Sequence, residues 1–250
     1  MSIHRKSKFE VNLMKQAGNI VAIVHAAMKD AVKPGVSTKE LDELAYKIIK
    51  AHKADPTFLG YNGFPATICT SVNEQVVHGI PSNEVILKEG DIISIDIGAT
   101  YKGFVGDSAW TYPVGEISTE KQMLLKATEE SLFAGLEHMK SNDKLENVAG
   151  AIEDVAKKYN LGIVRQYGGH GVGRQMHEDP FVFNYRTNNH LVLQKGMTIA
   201  IEPMLNLGGD DVIVLDDDWT VVTKDKKASG HFEHTVHVTD DGPEILTKLL

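Results

Sequence analysis

Cysteine is nearly absent from this 250-residue chain, where Cys69 stands alone. An internal disulfide is therefore excluded, and a reducing compartment, the cytoplasm, is expected. Long apolar runs are missing too. Nothing approaches the roughly 18 apolar residues of a membrane span. The opening MSIHRKSKFE turns amphipathic at once and does not lead into the apolar core of a signal peptide. Basic residues are in deficit, with 26 Lys and Arg against 34 Asp and Glu for a net charge of -8. Phosphate binding needs clustered cations, so nucleic acid is not expected as the main partner. There is no Pro/Ser-rich linker and no low-complexity tract to mark a domain boundary. With 42% hydrophobic residues the chain can bury a full core as a single domain spanning 1–250.

What is present begins with two helix starts. Ser7 and Glu10 have the spacing of a capping box, and Val11, Met14, Ala17, Val21, Val24 and Met28 follow at helical intervals until Pro34-Gly35 stops them. Ser37 and Glu40 repeat the device ahead of Leu41, Leu44, Ile48 and Ala51. Strands are expected at 66–72, 92–99 and 104–112. Helices are expected again from Ser118 to about Lys140 and from Lys144 to Tyr159, followed by strands and glycine-rich turns. A helix pair followed by strands therefore occurs twice, over about 8–112 and 118–248. This order suggests a duplication with a site in the cleft between the halves.

Carboxylates fall at informative places. Ile93, Ile95 and Ile97 share one face of a strand, which leaves Ser94 and Asp96 on the other. A turn centred on Tyr101 and Lys102 sets Asp96 directly opposite Asp107. Two acids so close repel unless a cation or a proton lies between them. A register shifted by one residue would instead put one Asp in solvent. Thr198, Ala200 and Glu202 share the polar face of another strand, which stops at Pro203, and Glu233 lies in the strand-like HFEHTV. A buried acid in such a place requires a partner. Of the eleven histidines, His4, His25, His52, His138 and His190 read as surface or packing residues. His170 and His177 sit in YGGHGVGRQMHEDP, where glycines allow close backbone approach, and His78 adjoins Gly79.

The segments Asp-Ile-Gly at 96–98, Gly-Asp-Ser at 106–108, Gly-His-Gly-Val-Gly at 169–173, Ile-Glu-Pro-Met at 201–204 and Glu-His-Thr-Val at 233–236 resemble the motifs of bacterial type I methionine aminopeptidases. They occur in that family's order and approximate spacing, and the likeness covers nearly the whole chain from about residue 8. The resemblance implies an α+β pita-bread fold, a pseudo-twofold arrangement of a curved antiparallel sheet with helices outside. It implies five metal ligands, Asp96, Asp107, His170, Glu202 and Glu233, holding two divalent ions. Asp107 and Glu233 would serve both ions, Asp96 one, and His170 with Glu202 the other. Four carboxylates and one imidazole suit Mn, Fe(II), Co or Zn. Glu202 would be the general base, with His78 and His177 donating to the substrate and the developing oxyanion. The methionine side chain would meet Phe58, Tyr61, Phe64, Cys69, Met176 and Trp219. Enterobacterial relatives usually have a small residue at 58, tyrosine at 64 and phenylalanine at 176. Cys69 has no activating base nearby and is not expected to be a nucleophile.

The implied partners are the N-terminal peptides of new proteins, met by a monomer during transient ribosome contact. The chain's own Met1-Ser2 start fits such trimming, so a mature N-terminus at Ser2 is expected. Three rivals share the fold. Proline-specific peptidases usually carry a long N-terminal domain, whereas about seven residues precede the first helix here. Non-catalytic binding proteins of this fold have lost ligands that this chain keeps. Type II enzymes insert a helical segment between the last two ligands, and here Glu202 and Glu233 are only 31 positions apart.

Overall fold

The computed structural model describes residues 3–250, so the expected processing between Met1 and Ser2 lies outside the described residues. The first half opens with helices α1 (Lys8–Ala31) and α2 (Thr38–Ala51). Strands β1 (Asp55–Pro56), β2 (Ile68–Val72), β3 (Gln75–Val77), β4 (Ile92–Tyr101) and β5 (Phe104–Pro113) follow. The second half repeats the order with α3 (Thr119–Leu136) and α4 (Leu145–Lys158). Its strands are β6 (Gly162–Ile163), β7 (Gly169–Gly171), β8 (Glu178–Val182), β9 (Thr198–Ile201), β10 (Met204–Asn206), β11 (Val212–Val214), β12 (Val221–Thr223), β13 (Ser229–His231), β14 (His234–Val238) and β15 (Pro243–Ile245).

Both expected capping boxes form. The Ser7 hydroxyl accepts from the Glu10 N–H while the Glu10 carboxylate accepts from the Ser7 N–H, and Ser37 with Glu40 does the same. Each box satisfies donors that the first helical turn leaves open. Helix α1 then lays Val21, Val24 and Met28 on Ile93, Ile95 and Ile97 of β4, all buried. In the second half Leu136, Leu145, Val148 and Ile152 of the helix pair cover Ile199, Ile201, Val236 and Val238 of the sheet. Fully burying each such side chain contributes ~1.5–3 kcal/mol, so the two helix pairs clamp the outer faces of their sheets. The inner faces, which carry the acids, are left to each other. Helix α3 ends at Leu136, one turn before the expected Lys140.

The β4–β5 hairpin corrects the expected register. Tyr101 pairs with Phe104, so the turn is Lys102-Gly103, and Asp96 stands opposite Ala109 while Gly98 stands opposite Asp107. Lys102 and Gly103 take φ of 48° and 79°, the left-handed pair that matches a two-residue loop to the twist of its strands. The shift is two residues. Because side chains alternate with period two, an even shift keeps Asp96 and Asp107 on one face as diagonal neighbours.

The halves meet along β5. The Thr235 hydroxyl donates to the Asp107 carbonyl at 2.8 Å and accepts from the Asp107 N–H at 3.2 Å. The Ser108 hydroxyl donates to the Glu233 carbonyl at 2.6 Å, and the Glu233 N–H donates to the Ala109 carbonyl at 2.8 Å. Glu233 is therefore not mid-strand, as its sequence setting suggests. It occupies the break between β13 and β14, with its backbone bonded across the seam.

Candidate metal centre and substrate pocket

Asp107, His170 and Glu233 each offer a ligand atom within 4.8 Å of the others, and all three are buried. His170 Nε2 lies 3.6 Å from Asp107 and 3.4 Å from Glu202. Asp96 comes within hydrogen-bonding reach of Asp107 from the neighbouring strand. All five expected ligands thus converge. The aspartates come from the hairpin, His170 from β7, Glu202 from just past the end of β9, and Glu233 from the β13–β14 break.

Their environment leaves a deficit of positive charge. Oxygens of Asp96, Asp107 and Glu233 are buried without a hydrogen-bond partner. Among the described residues no Lys or Arg forms an ion pair with any of the four acids. The His170 Nδ1–H donates to the Gly171 carbonyl at 2.9 Å, so the ring presents the lone pair of Nε2 to two carboxylate oxygens. Acceptors facing acceptors at 3.4–3.6 Å require protons or cations between them. Burial pushes the carboxyls of Asp96, Glu202 and Glu233 well above their usual range, and each is pushed further by charged neighbours in the cluster. Asp107 rises to about 7, again through burial. Burial also holds His170 down at about 4, so it is neutral at pH 7. A neutral imidazole and four acids lacking counter-charge are a donor set suited to a divalent cation.

The cluster opens into a cavity of about 660 Å³ whose lining includes every residue expected from sequence. Phe58, Phe64, Cys69 and Met176 form buried walls, and Trp219 meets Phe64 edge-on at 5.1 Å. Cys69 pairs with Asp96 across β2 and β4. Burial and then the charges of Asp96 and Asp107 push its thiol up, so it stays protonated and is no nucleophile. His78 has φ of 60° just past β3 and packs between the rings of Tyr167 and Trp219. Burial lowers its pKa to about 4. His177 is exposed at the mouth, lies 4.3 Å from the His170 ring, and shares a 2.8 Å hydrogen bond between Nδ1 and the Tyr61 hydroxyl. Gly168 and Gly169 lie so close to the Val182 and Ala200 carbonyls, 2.4 and 2.2 Å from where a Cβ would stand, that only glycine fits.

One residue escaped the sequence reading. His231 is buried, and its partnerless Nε2 lies 3.7 Å from a Glu202 oxygen. Its place in the same short segment as Glu233, at the end of β13, is the signal that could have found it. His25 is a packing residue, bonded to the Tyr112 hydroxyl and the Ser108 carbonyl, as its featureless sequence setting suggests.

The profile of metallopeptidase family M24 matches residues 12–240. Methionine aminopeptidase 1 of Bacillus subtilis is 51% identical over 245 residues, 98% of each chain. The chain belongs to metallopeptidase family M24, in its methionine aminopeptidase branch. The methionine aminopeptidase of Clostridium acetobutylicum is 48% identical over 97% of each chain. The crystal structure of the Thermotoga maritima methionine aminopeptidase superposes with a TM-score of 0.97 at 42% identity, covering 99% of this chain and 100% of that one. The prolidase from Pyrococcus furiosus shares the fold alone, with a TM-score of 0.80 at 23% identity over 65% of its length. M24 membership makes the chain a metallopeptidase-family member, with the acid cluster as its candidate metal site.

Proposed function

We propose that this chain removes the initiator methionine from new polypeptides whose second residue is small, using two divalent cations. The observation that carries the reading is the buried set of four carboxylates and one imidazole in the same cavity as an apolar pocket. Four carboxylates are balanced by two dications, whereas one would leave a double negative charge buried. Asp96, Asp107 and Glu233 would hold one ion and Asp107, His170, Glu202 and Glu233 the other, with Mn, Fe(II), Co or Zn all suited to the set. Bound there, the cations supply Lewis acidity that polarises the scissile carbonyl and acidifies water.

The protein's own groups do the rest. Glu202 takes the proton from the attacking water and returns it to the departing amine. A Tyr61 hydroxyl that donates to Nδ1 of His177 places the ring proton on Nε2, which then donates to the developing oxyanion. His78, neutral at pH 7, holds the peptide backbone. Phe64 and Trp219 offer aromatic faces to the methionine sulfur, worth ~0.3–1.5 kcal/mol per contact. His78 and the unyielding Gly168-Gly169 backbone wall the leaving side, so a long second side chain would displace the carbonyl. The whole chain, 1–250, acts as one catalytic unit with its site between the halves.

Rates on Met-Ala-Ser, Met-Leu-Ser, Leu-Ala-Ser and Xaa-Pro peptides test this. Met-Ala-Ser should be fastest, with Leu-Ala-Ser slower by about 10–200-fold, since shape alone discriminates. Equal rates on Met-Ala-Ser and Met-Leu-Ser would remove the size gate. A preference for Xaa-Pro would move the activity to the prolidases.

A further inference from the structure

The side chain of Lys6 is 2% exposed although it lies in the short segment ahead of α1. Its ammonium donates to Glu178 Oε2 at 2.5 Å and to the His4 carbonyl at 3.3 Å, and its N–H donates to the Gly196 carbonyl at 2.7 Å. A buried lysine is costly unless paired, and Glu178 is its partner. The other oxygen of that carboxylate, Oε1, accepts from the N–H groups of Arg174 and Gln175 at 2.9 and 3.2 Å. Glu178 therefore closes the loop 174–177 on itself. The Lys6 stem runs across the base of the same loop, since a Cβ on Gly173 would stand 2.4 Å from Lys6 Cε. That loop carries Met176 and His177, which both line the cavity. The loop is also held at its base by the Val105 N–H, which donates to the Gly173 carbonyl at 2.8 Å, and at its tip by the 2.8 Å bond between Tyr61 and His177. Arg174 leans on Phe104 but is itself exposed, and its contact with Glu10 is 3.7 Å long.

We propose that Lys6 is a positioning residue, and that through Glu178 it fixes the loop that carries His177 and Met176. The segment before the first helix is then part of the catalytic apparatus. The inference rests on the role given above to His177. A displacement of about 1 Å in a group that acts on the transition state can cost up to about 10²-fold in rate, so the effect should appear in kcat.

The test is Lys6→Met, which keeps the stem and removes the charge, assayed in full-length protein saturated with Mn on Met-Ala-Ser. We expect kcat to fall by about 10- to 100-fold, with KM changed little and bound metal unchanged. Lys6→Arg should recover part of the rate. Glu178→Gln, which retains the acceptor for the two loop N–H groups, should move kcat the same way by less, and it serves if Lys6→Met does not fold. Combined with His177→Ala, Lys6→Met should add almost nothing, because both act through one group. A Lys6→Met enzyme of wild-type kcat and lowered melting temperature would overturn the proposal, as would full additivity with His177→Ala. If His177→Ala alone kept wild-type kcat, the site reading would fail and take this proposal with it. A slow His177→Ala beside a wild-type Lys6→Met would fail the proposal alone.

Discussion

The two halves supply the same cluster in different ways. The first contributes Asp96 and Asp107 from the interior of a regular hairpin, where ten consecutive residue pairs and a two-residue turn fix the register. The second contributes its three groups from interruptions. His170 sits at a register shift in a three-residue strand, Glu202 just beyond a strand that Pro203 ends, and Glu233 in a break between strands. Regular ladder geometry can hold two acids side by side. It cannot aim three more at the same point from other strands, because alternation fixes their directions. Bulges and strand ends re-aim side chains, and each irregular ligand is tied down by a hydrogen bond of its own. Glu233 is bonded to Ala109 and Ser108, the Glu202 carbonyl accepts from Asn184, and the His170 ring donates to Gly171. The hairpin is thus the template, and the second half is docked on it through Thr235 and Asp107.

Four substitutions probe this contrast, from the largest expected effect to the smallest. Asp107→Ala, in the template, and Glu233→Ala, in the break, should each lose about 10³-fold or more in kcat, about 4 kcal/mol of barrier, and bind less than the full metal complement, as metal analysis would read. If Glu233→Ala kept both ions, the break would not be a ligand position. Glu202→Gln comes next. It should lower kcat by ~10²–10⁴-fold with the fold intact by circular dichroism. A wild-type rate would take the base role from Glu202. Thr235→Val removes the docking hydroxyl and should cost about 1–3 kcal/mol of stability in denaturant unfolding. No change would mean that the other bonds across the seam, from Ser108 and Ala109 to Glu233, hold it without the Thr235 hydroxyl.

The pH dependence sharpens the same point. In metal-free protein the raised carboxyls bind protons more tightly folded than unfolded. Their contribution to stability is therefore present at low pH and lost as pH climbs from the usual carboxyl value of about 4 through the raised ones, about 7 for Asp107. The buried neutral His78 and His170, depressed to about 4, act oppositely and cost stability as pH falls from about 6.5. Cations compete with protons for the carboxyls and for His170, though not for His78. The gap in melting temperature between Mn-loaded and metal-free protein should therefore widen from pH 5 to pH 8. A gap independent of pH would contradict a carboxylate-bound metal.

How much the sequence revealed follows the same division. Capping boxes and apolar periodicity located all four helices, and strict alternation placed Asp96 on a polar face. The hairpin register was missed by two residues because Lys102-Gly103 is a weak turn signal, yet the error preserved the face because it was even. Alternation could not place Glu233, since nothing in HFEHTV marks the break. Alternation puts Glu202 on a polar strand face and the surrounding glycines single out His170, but that the two meet at one point is legible only through motif resemblance, because strand ends and bulges follow no period. His231 was overlooked because its neighbour Glu233 drew the chemistry.

Metal titration of chelated protein bears most directly on the central claim. The chelated protein should be inactive on Met-Ala-Ser, and Mn, Fe(II) or Co should restore hydrolysis with binding that saturates at two ions per chain. Full activity in the demetallated protein, or restoration with no metal bound by wild type beyond that bound by Asp107→Ala, would contradict it.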